Sequence, residues 1–157
     1  MKIKLVVIGK TDDKFIREGI KKYSDRLRHY LPFEYVELPD VKKGKATSTD
    51  IQKKTEGELL LNTLSPGDQL ILLDENGKMF TSREFSAFIE KKMIAGTKRM
   101  VFFVGGPYGF SDEVYKKADA KVSLSKMTFS HQLVRVIFFE QLYRAMTIIR
   151  NEPYHHD

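Results

Sequence analysis

A chain of 157 residues, 41% hydrophobic and 31% charged, has the size and make-up of one globular domain with a proper core and leaves little room for a second. It contains no cysteine, which excludes disulfides and thiolate metal sites and is compatible with a reducing cytosol. A net charge of +6 fits a polyanionic partner such as nucleic acid, though charge of this size alone does not specify one.

The chain opens Met1-Lys-Ile-Lys-Leu-Val-Val-Ile-Gly9. That apolar run is too short to cross a membrane and has no small-residue cleavage site after it, so residues 3–8 read as a strand buried on both faces. Gly9 to Asp12 is a turn in which Thr11 or Asp12 is placed to cap a helix. Across residues 13–31, Ile16, Ile20, Tyr23, Leu27 and Tyr30 recur at spacings of four and three, one helical stripe. Arg17, Lys21, Lys22, Arg26 and Arg28 fill the rest of that helix, as either a solvated face or a surface for RNA. Phe33 to Leu38 alternates as a second strand, closed by Pro39-Asp40. Lys42 to Ser48 is a basic loop by composition. Thr49 with Gln52 predicts a capping box for a helix to about Leu64, stopped by Ser65-Pro-Gly-Asp68.

Gln69 to Leu73 predicts a strand, and Asp74-Glu-Asn-Gly-Lys78 a hairpin-like turn. Thr81 and Glu84 open a further helix that Gly96 ends. Met100 to Val104 is a buried strand, followed by the glycine loop Gly105-Gly-Pro-Tyr-Gly109. Ser111-Asp112 caps a short helix, Lys121 to Leu124 is a last strand, and a long helix runs from about Ser130 to Arg150 until Pro153 stops it. Strands alternating with helices predict an α/β protein with a mostly parallel sheet flanked by helices, as one domain over residues 1–157.

In such a sheet, ligands bind beyond the carboxyl ends of the strands. Three ends are marked: Leu73-Asp74-Glu75, Gly105 to Gly109, and Leu124-Ser-Lys-Met-Thr-Phe129. The glycines permit close backbone approach to a ligand. Their spacing is neither the G-x-G-x-x-G of dinucleotide folds nor a Walker loop, and a plain strand-to-helix turn remains an equal reading. The last helix is apolar on most sides, which a homodimer or central burial would satisfy. At about 100° per residue its Glu140, Arg144 and Thr147 share one polar strip, with an ion pair permitted between the first two. His131 and Arg135 form a separate pair. The four histidines have no metal-binding spacing, so no metal is expected.

Gly105-Gly-Pro-Tyr-Gly109, Leu124-Ser-Lys-Met-Thr-Phe-Ser-His-Gln-Leu-Val-Arg135, Glu140-Gln-Leu-Tyr-Arg-Ala145 and the terminal Tyr154-His155 together resemble the RlmH-type rRNA methyltransferases, small bacterial members of the SPOUT class. The likeness spans essentially the whole chain. It implies a C-terminal trefoil knot, a topology outside ordinary chain rules. It also implies a homodimer, a cytoplasmic location, no membrane association, and an S-adenosyl-L-methionine pocket held by Leu73, Gly105, Leu124, Ser125, Lys126, Met127, Thr128 and Phe129. The implied reaction is methylation of N3 of a pseudouridine in 23S rRNA of the large subunit or ribosome. Tyr154 and His155 are then candidates for proton removal and Arg144 for positioning phosphate or stabilising a ring oxyanion. The family generally has proline before the histidine of Thr-Phe-x-His, whereas this chain has Ser130, which can cap the following helix. Two other readings are a non-catalytic ribosome- or RNA-binding protein of the same fold, and a Rossmann-type nucleotide enzyme. The absent fingerprint argues against the last.

Overall fold

The computed structural model describes residues 1–41 and 48–156. The basic stretch 42–45, part of the segment that reads by composition as a loop, lies outside the described residues. Strands β1 (Lys2–Ile8), β2 (Phe33–Leu38), β3 (Gln69–Met79), β4 (Arg99–Val104) and β5 (Ala120–Ser123) alternate with helices α1 (Lys14–Leu27), α2 (Thr49–Leu61), α3 (Ser82–Ile94), α4 (Asp112–Lys117) and α5 (Leu133–Ile149). The sheet runs β2-β1-β4-β3-β5 and every pairing within it is parallel.

The two-residue repeat of a strand explains the layering. Ile3, Leu5 and Val7 join Phe102, Val104 and Ile71 on one face, where α1, α3 and α5 cover them with Ile16, Ile20, Phe85, Ile89, Phe138, Phe139 and Leu142. Val6, Ile8, Leu70, Leu72, Val101 and Phe103 occupy the other face, under Leu60 of α2 and Val114 of α4. Strands covered on both faces read as continuous apolar runs, as 3–8 and 100–104 do.

Helix α5 packs against both α1 and α3. Its approach to α1 is close enough that a Cβ on Gly19 would sit 2.6 Å from Val136 Cγ2. Phe138, Phe139, Leu142, Ala145 and Met146 are buried within the one chain, while Val134, Val136, Ile137, Ile148 and Ile149 remain half-buried.

One charged side chain ties this helix to the sheet. Arg135 is 0% exposed. Its Nη2 donates to Ile8 O at 2.8 Å, Nη1 to Gly9 O and to Thr11 Oγ1, both at 3.0 Å, and Nε to His131 O at 2.9 Å. Glu37 Oε1 stands 3.8 Å from Nη1 and accepts hydrogen bonds from Thr11 N and Oγ1. Arg135 thus bonds the backbone of His131 rather than its imidazole, and the expected side-chain pair is replaced by a clamp on the carboxyl end of β1. The guanidinium suits this because its planar fork satisfies several carbonyls at once.

Other differences have local causes. Ser48, not Thr49, caps α2, accepting from Ile51 N at 3.3 Å. The capping box of Thr81 and Glu84 is present, and Ser111 caps α4. Ser130 accepts from Leu133 N at 3.1 Å at the start of α5. The stop of α5 is Asn151, whose φ of 54° and the bond from Glu152 N to Thr147 O end the helix before Pro153 is reached. Finally, the segment expected as a hairpin turn is an excursion within β3. Leu73 and Lys78 both register with Val122, so residues 74–77 are extruded between them.

Replacing Arg135 with alanine strips the donors from Ile8 O, Gly9 O and Thr11 and leaves Glu37 without its cation. We expect a loss of about 3–5 kcal/mol in equilibrium denaturation, with Arg135→Lys recovering only part of it. A loss below about 1 kcal/mol for Arg135→Ala would show that the clamp does not hold the fold.

Candidate active site

The three marked strand ends are neighbours in the sheet, because β4, β3 and β5 are adjacent. They surround a cleft of about 580 Å³ lined by residues from 73–76, 104–110, 122–125 and 127–131, with Tyr115 and Val134. That volume suits a small cofactor. Of the expected cofactor residues, Leu73, Gly105, Leu124, Ser125, Met127, Thr128 and Phe129 line it; Lys126 does not. Sequence reasoning passed over Tyr115 and Ser123 as site residues. The alternation of an amphipathic short helix and a strand end carried too little signal to single them out.

The cleft walls are set by close packing. A Cβ on Gly105 would lie 3.2 Å from Gly109 C and 3.3 Å from the Phe110 ring, and one on Gly106 would run into the Glu56 carboxylate of α2. Gly109 adopts a φ of 76°, which favours glycine. The loop after β5 is folded on its own hydroxyls, with Ser123 Oγ donating to Ser125 O at 2.8 Å and Met127 N donating to Ser125 Oγ at 2.9 Å. Met127 is 77% exposed.

The extruded 74–77 segment forms the rim. Tyr115 Oη donates to Asp74 Oδ2 at 2.5 Å, and Thr128 Oγ1 donates to Glu75 at 3.4 Å. Burial first, and then the bond to Asp74, push the Tyr115 phenol well above the ordinary tyrosine range, so it is a neutral donor. Behind the rim, Gly77 lies so close to β5 that a Cβ would meet Val122 main-chain atoms at 2.6 Å.

The second group of expected residues clusters elsewhere. On α5, Arg144 donates to Glu140 Oε1 through Nη2 at 2.6 Å and Nε at 3.1 Å. Tyr154 Oη donates to the same oxygen at 3.1 Å, and Arg144 lies over the Tyr154 ring at 4.7 Å. Arg144 Nη1 stands 3.2 Å from His155 Nδ1; an arginine can only donate, so the imidazole accepts there. Burial, followed by Tyr23 and Glu140, holds the Tyr154 phenol well above its usual range. The pair with Glu140 raises Arg144 further. The tail is fastened by a hydrogen bond from Tyr30 to Glu152 and by the Tyr154–Tyr143 edge contact at 4.7 Å.

Arg144, Tyr154 and His155 do not line the cleft. Ten residues of helix separate Val134, at the cleft, from Arg144, a rise of about 15 Å. A single chain therefore keeps the two groups apart. Among the described residues, no cluster of three or more His, Asp or Glu could hold a metal, and no helix is long and apolar enough to cross a membrane.

A parallel α/β sheet with a glycine-walled cleft beyond three adjacent strand ends is the architecture in which open α/β folds bind small ligands. Comparison with known proteins then narrows it. A family model described as "Predicted SPOUT methyltransferase" matches residues 1–155. The chain is 61% identical over 157 residues to a protein of Parabacteroides distasonis named "Ribosomal RNA large subunit methyltransferase H", covering all of both chains. It is 60% and 58% identical, over 156 residues each and 99% of both chains, to proteins of the same name from Christiangramia forsetii and Flavobacterium johnsoniae. The chain belongs to the SPOUT methyltransferase family.

The packing behind the cleft makes a graded prediction. Gly77→Ala is expected to cost at least about 2 kcal/mol, because the Cβ meets main chain that cannot rotate aside. Gly67→Ala, at a φ of 82° with nothing within 4 Å, is expected to cost about 1 kcal/mol from backbone strain alone. Urea denaturation of both variants checks the order, and equal costs would refute the close contact.

Proposed function

We propose that this chain is an S-adenosyl-L-methionine-dependent methyltransferase that methylates N3 of a pseudouridine in bacterial 23S rRNA, on the assembled large subunit or ribosome. The observation that carries this reading is the full-length identity of 52–61% to proteins named for large-subunit rRNA methylation. The alternative, a ribosome-binding protein of the same fold without catalysis, is not favoured, since the cofactor-sized cleft is retained along with the family match.

The fold we infer around the cleft is a trefoil knot. The match of the SPOUT methyltransferase family model over residues 1–155 supports that reading. Leu133, 37% exposed, with the half-buried Ile137 one turn on, supports a homodimer formed through α5.

When bound, S-adenosyl-L-methionine supplies an electrophilic methyl group on a sulfonium. Leu73, Gly105, Leu124, Ser125, Met127, Thr128 and Phe129 would hold it, largely by backbone groups in a cleft from which side chains have been cut back. The residues that handle the acceptor are Arg144, Tyr154 and His155, delivered by one subunit to the cleft of the other. Separation of the two groups within one chain supports that arrangement. The acceptor nitrogen must lose its proton as its bond to carbon forms; an ordered water takes it, or His155 does once its Nδ1 is released from Arg144. Tyr154, neutral as a phenol and bonded to Glu140, orients rather than deprotonates. Arg144 meets developing charge on the ring oxygen. Much of the rate acceleration comes from alignment of two bound reactants.

Contact with RNA is assigned to Arg17, Lys21, Lys22 and Arg26 on α1. Lys21 is shared with Asp25 at 2.7 Å and Arg17 donates to Thr11 O and Asp12 O, so this face is only partly free for phosphate. Affinity for large subunits should fall steeply with salt, and a flat response would remove α1 from the interface.

The test is calorimetric titration with S-adenosyl-L-methionine together with solution mass, followed by methyl transfer to large subunits that lack the modification. Saturable binding on a dimer and transfer to pseudouridine N3 are expected. A folded dimer that binds no cofactor would return the chain to the non-catalytic reading. His155→Ala is expected to lower single-turnover transfer at least about 100-fold with cofactor affinity kept; full activity would take His155 out of the chemistry.

A further inference from the structure

The charge on the cleft wall runs opposite to the charge of the chain. Lysine and arginine number 27 against 21 acidic residues, yet among the described residues no lysine or arginine lines the cleft. Among the described residues its carboxylates are Asp74 and Glu75, and its remaining titratable groups are Tyr108, Tyr115 and His131. Of the nearby lysines, Lys121 lies over the Tyr115 ring at 5.6 Å, and neither it nor Lys126 lines the cleft.

Both carboxylates are held in place. Asp74 accepts from Tyr115 Oη at 2.5 Å through one oxygen and from Asn76 N at 2.8 Å through the other. Glu75 accepts from Thr128 Oγ1 at 3.4 Å on the opposite flank. The extrusion of residues 74–77 from β3 is what presents them at the rim. Fixed negative groups beside a cleft floored by apolar strand ends act on a bound ion more strongly than the same groups free in water.

Resting on the cofactor reading above, we propose that Asp74 and Glu75 make this cleft select by charge, holding a sulfonium cofactor more tightly than its thioether product. The two ligands differ by one methyl group and one positive charge at sulfur. A wall of main-chain groups distinguishes them weakly, whereas two rim carboxylates act on the charge alone. The same charges repel RNA phosphates, which keeps the acceptor's backbone out of the cofactor cleft and leaves it to the basic face. Loss of the cation at transfer then removes part of the attraction and favours product exchange.

The experiment is calorimetric titration of the wild-type protein with S-adenosyl-L-methionine, with its thioether product, and with an analogue carrying an ammonium in place of the sulfonium. It is repeated for Asp74→Asn, Glu75→Gln and the double variant, each checked for folding by circular dichroism. The double variant should lose on the order of tenfold in affinity for both cations relative to the thioether, with thioether affinity kept. In the wild type, added salt should weaken the two cations more than the thioether, an arm that needs no variant. An unchanged ratio with all three ligands bound, or equal losses for all three, overturns the charge assignment while leaving the cofactor reading intact. Failure of the folded wild type to bind any of the three overturns the cofactor reading itself.

Discussion

The arrangement depends on one guanidinium. Arg135 enters the core from the first turns of α5 and bonds the carbonyls at the carboxyl end of β1, so the last helix is fixed to the first strand across 127 residues of sequence. An arginine can be buried without penalty exceeding its return only when most of its donors are met, and here four acceptors and a carboxylate do so. The same side chain holds His131 O, at the start of the helix and at the edge of the cleft. The position of the 124–131 loop is therefore tied to the carboxyl end of β1, which β4 and β3 separate from β5 in the sheet.

From that constraint the division of labour follows. The segment 124–131 is tied to the rim through Glu75 and Thr128, and the rim is tied to α4 through Asp74 and Tyr115. Glycines at 105, 106 and 109 let the β4 loop lie against α2 and against itself. The polar strip of α5 serves a different purpose, gathering the C-terminal tail onto Glu140 and Arg144. In the proposed dimer these two assemblies meet across subunits. In the same proposal the acidic rim and the basic α1 face would separate cofactor from RNA by charge.

Much of this was legible from residue pattern. Buried strands such as 3–8 and 100–104, the caps at Thr81 and Ser111, and the Glu140–Arg144 pair depend on local spacing, which sequence carries directly. The extrusion at 74–77 was not legible, because Asn-Gly after a strand has the same appearance whether the chain reverses or bulges against a distant partner such as Val122. The spacing of Arg135 and His131 suggests a side-chain pair for a related reason. Its acceptors are carbonyls of residues 8 and 9, and backbone groups leave no mark in residue identity. Tyr115 was missed because its role comes from reaching across to Asp74, a contact set by tertiary packing alone.

The proposed sharing of one active site between two subunits is the central claim, and complementation tests it most directly. One subunit would carry Tyr154→Phe with His155→Ala and the other Gly105→Val, which closes the cleft. Each parent homodimer is first shown to be folded and inactive, and the heterodimer is isolated with two different tags. Assembly of one intact cleft with one intact tail should restore about half of the wild-type methyl transfer to large subunits. A heterodimer as inactive as its parents would contradict the account and place the tail residues outside the site.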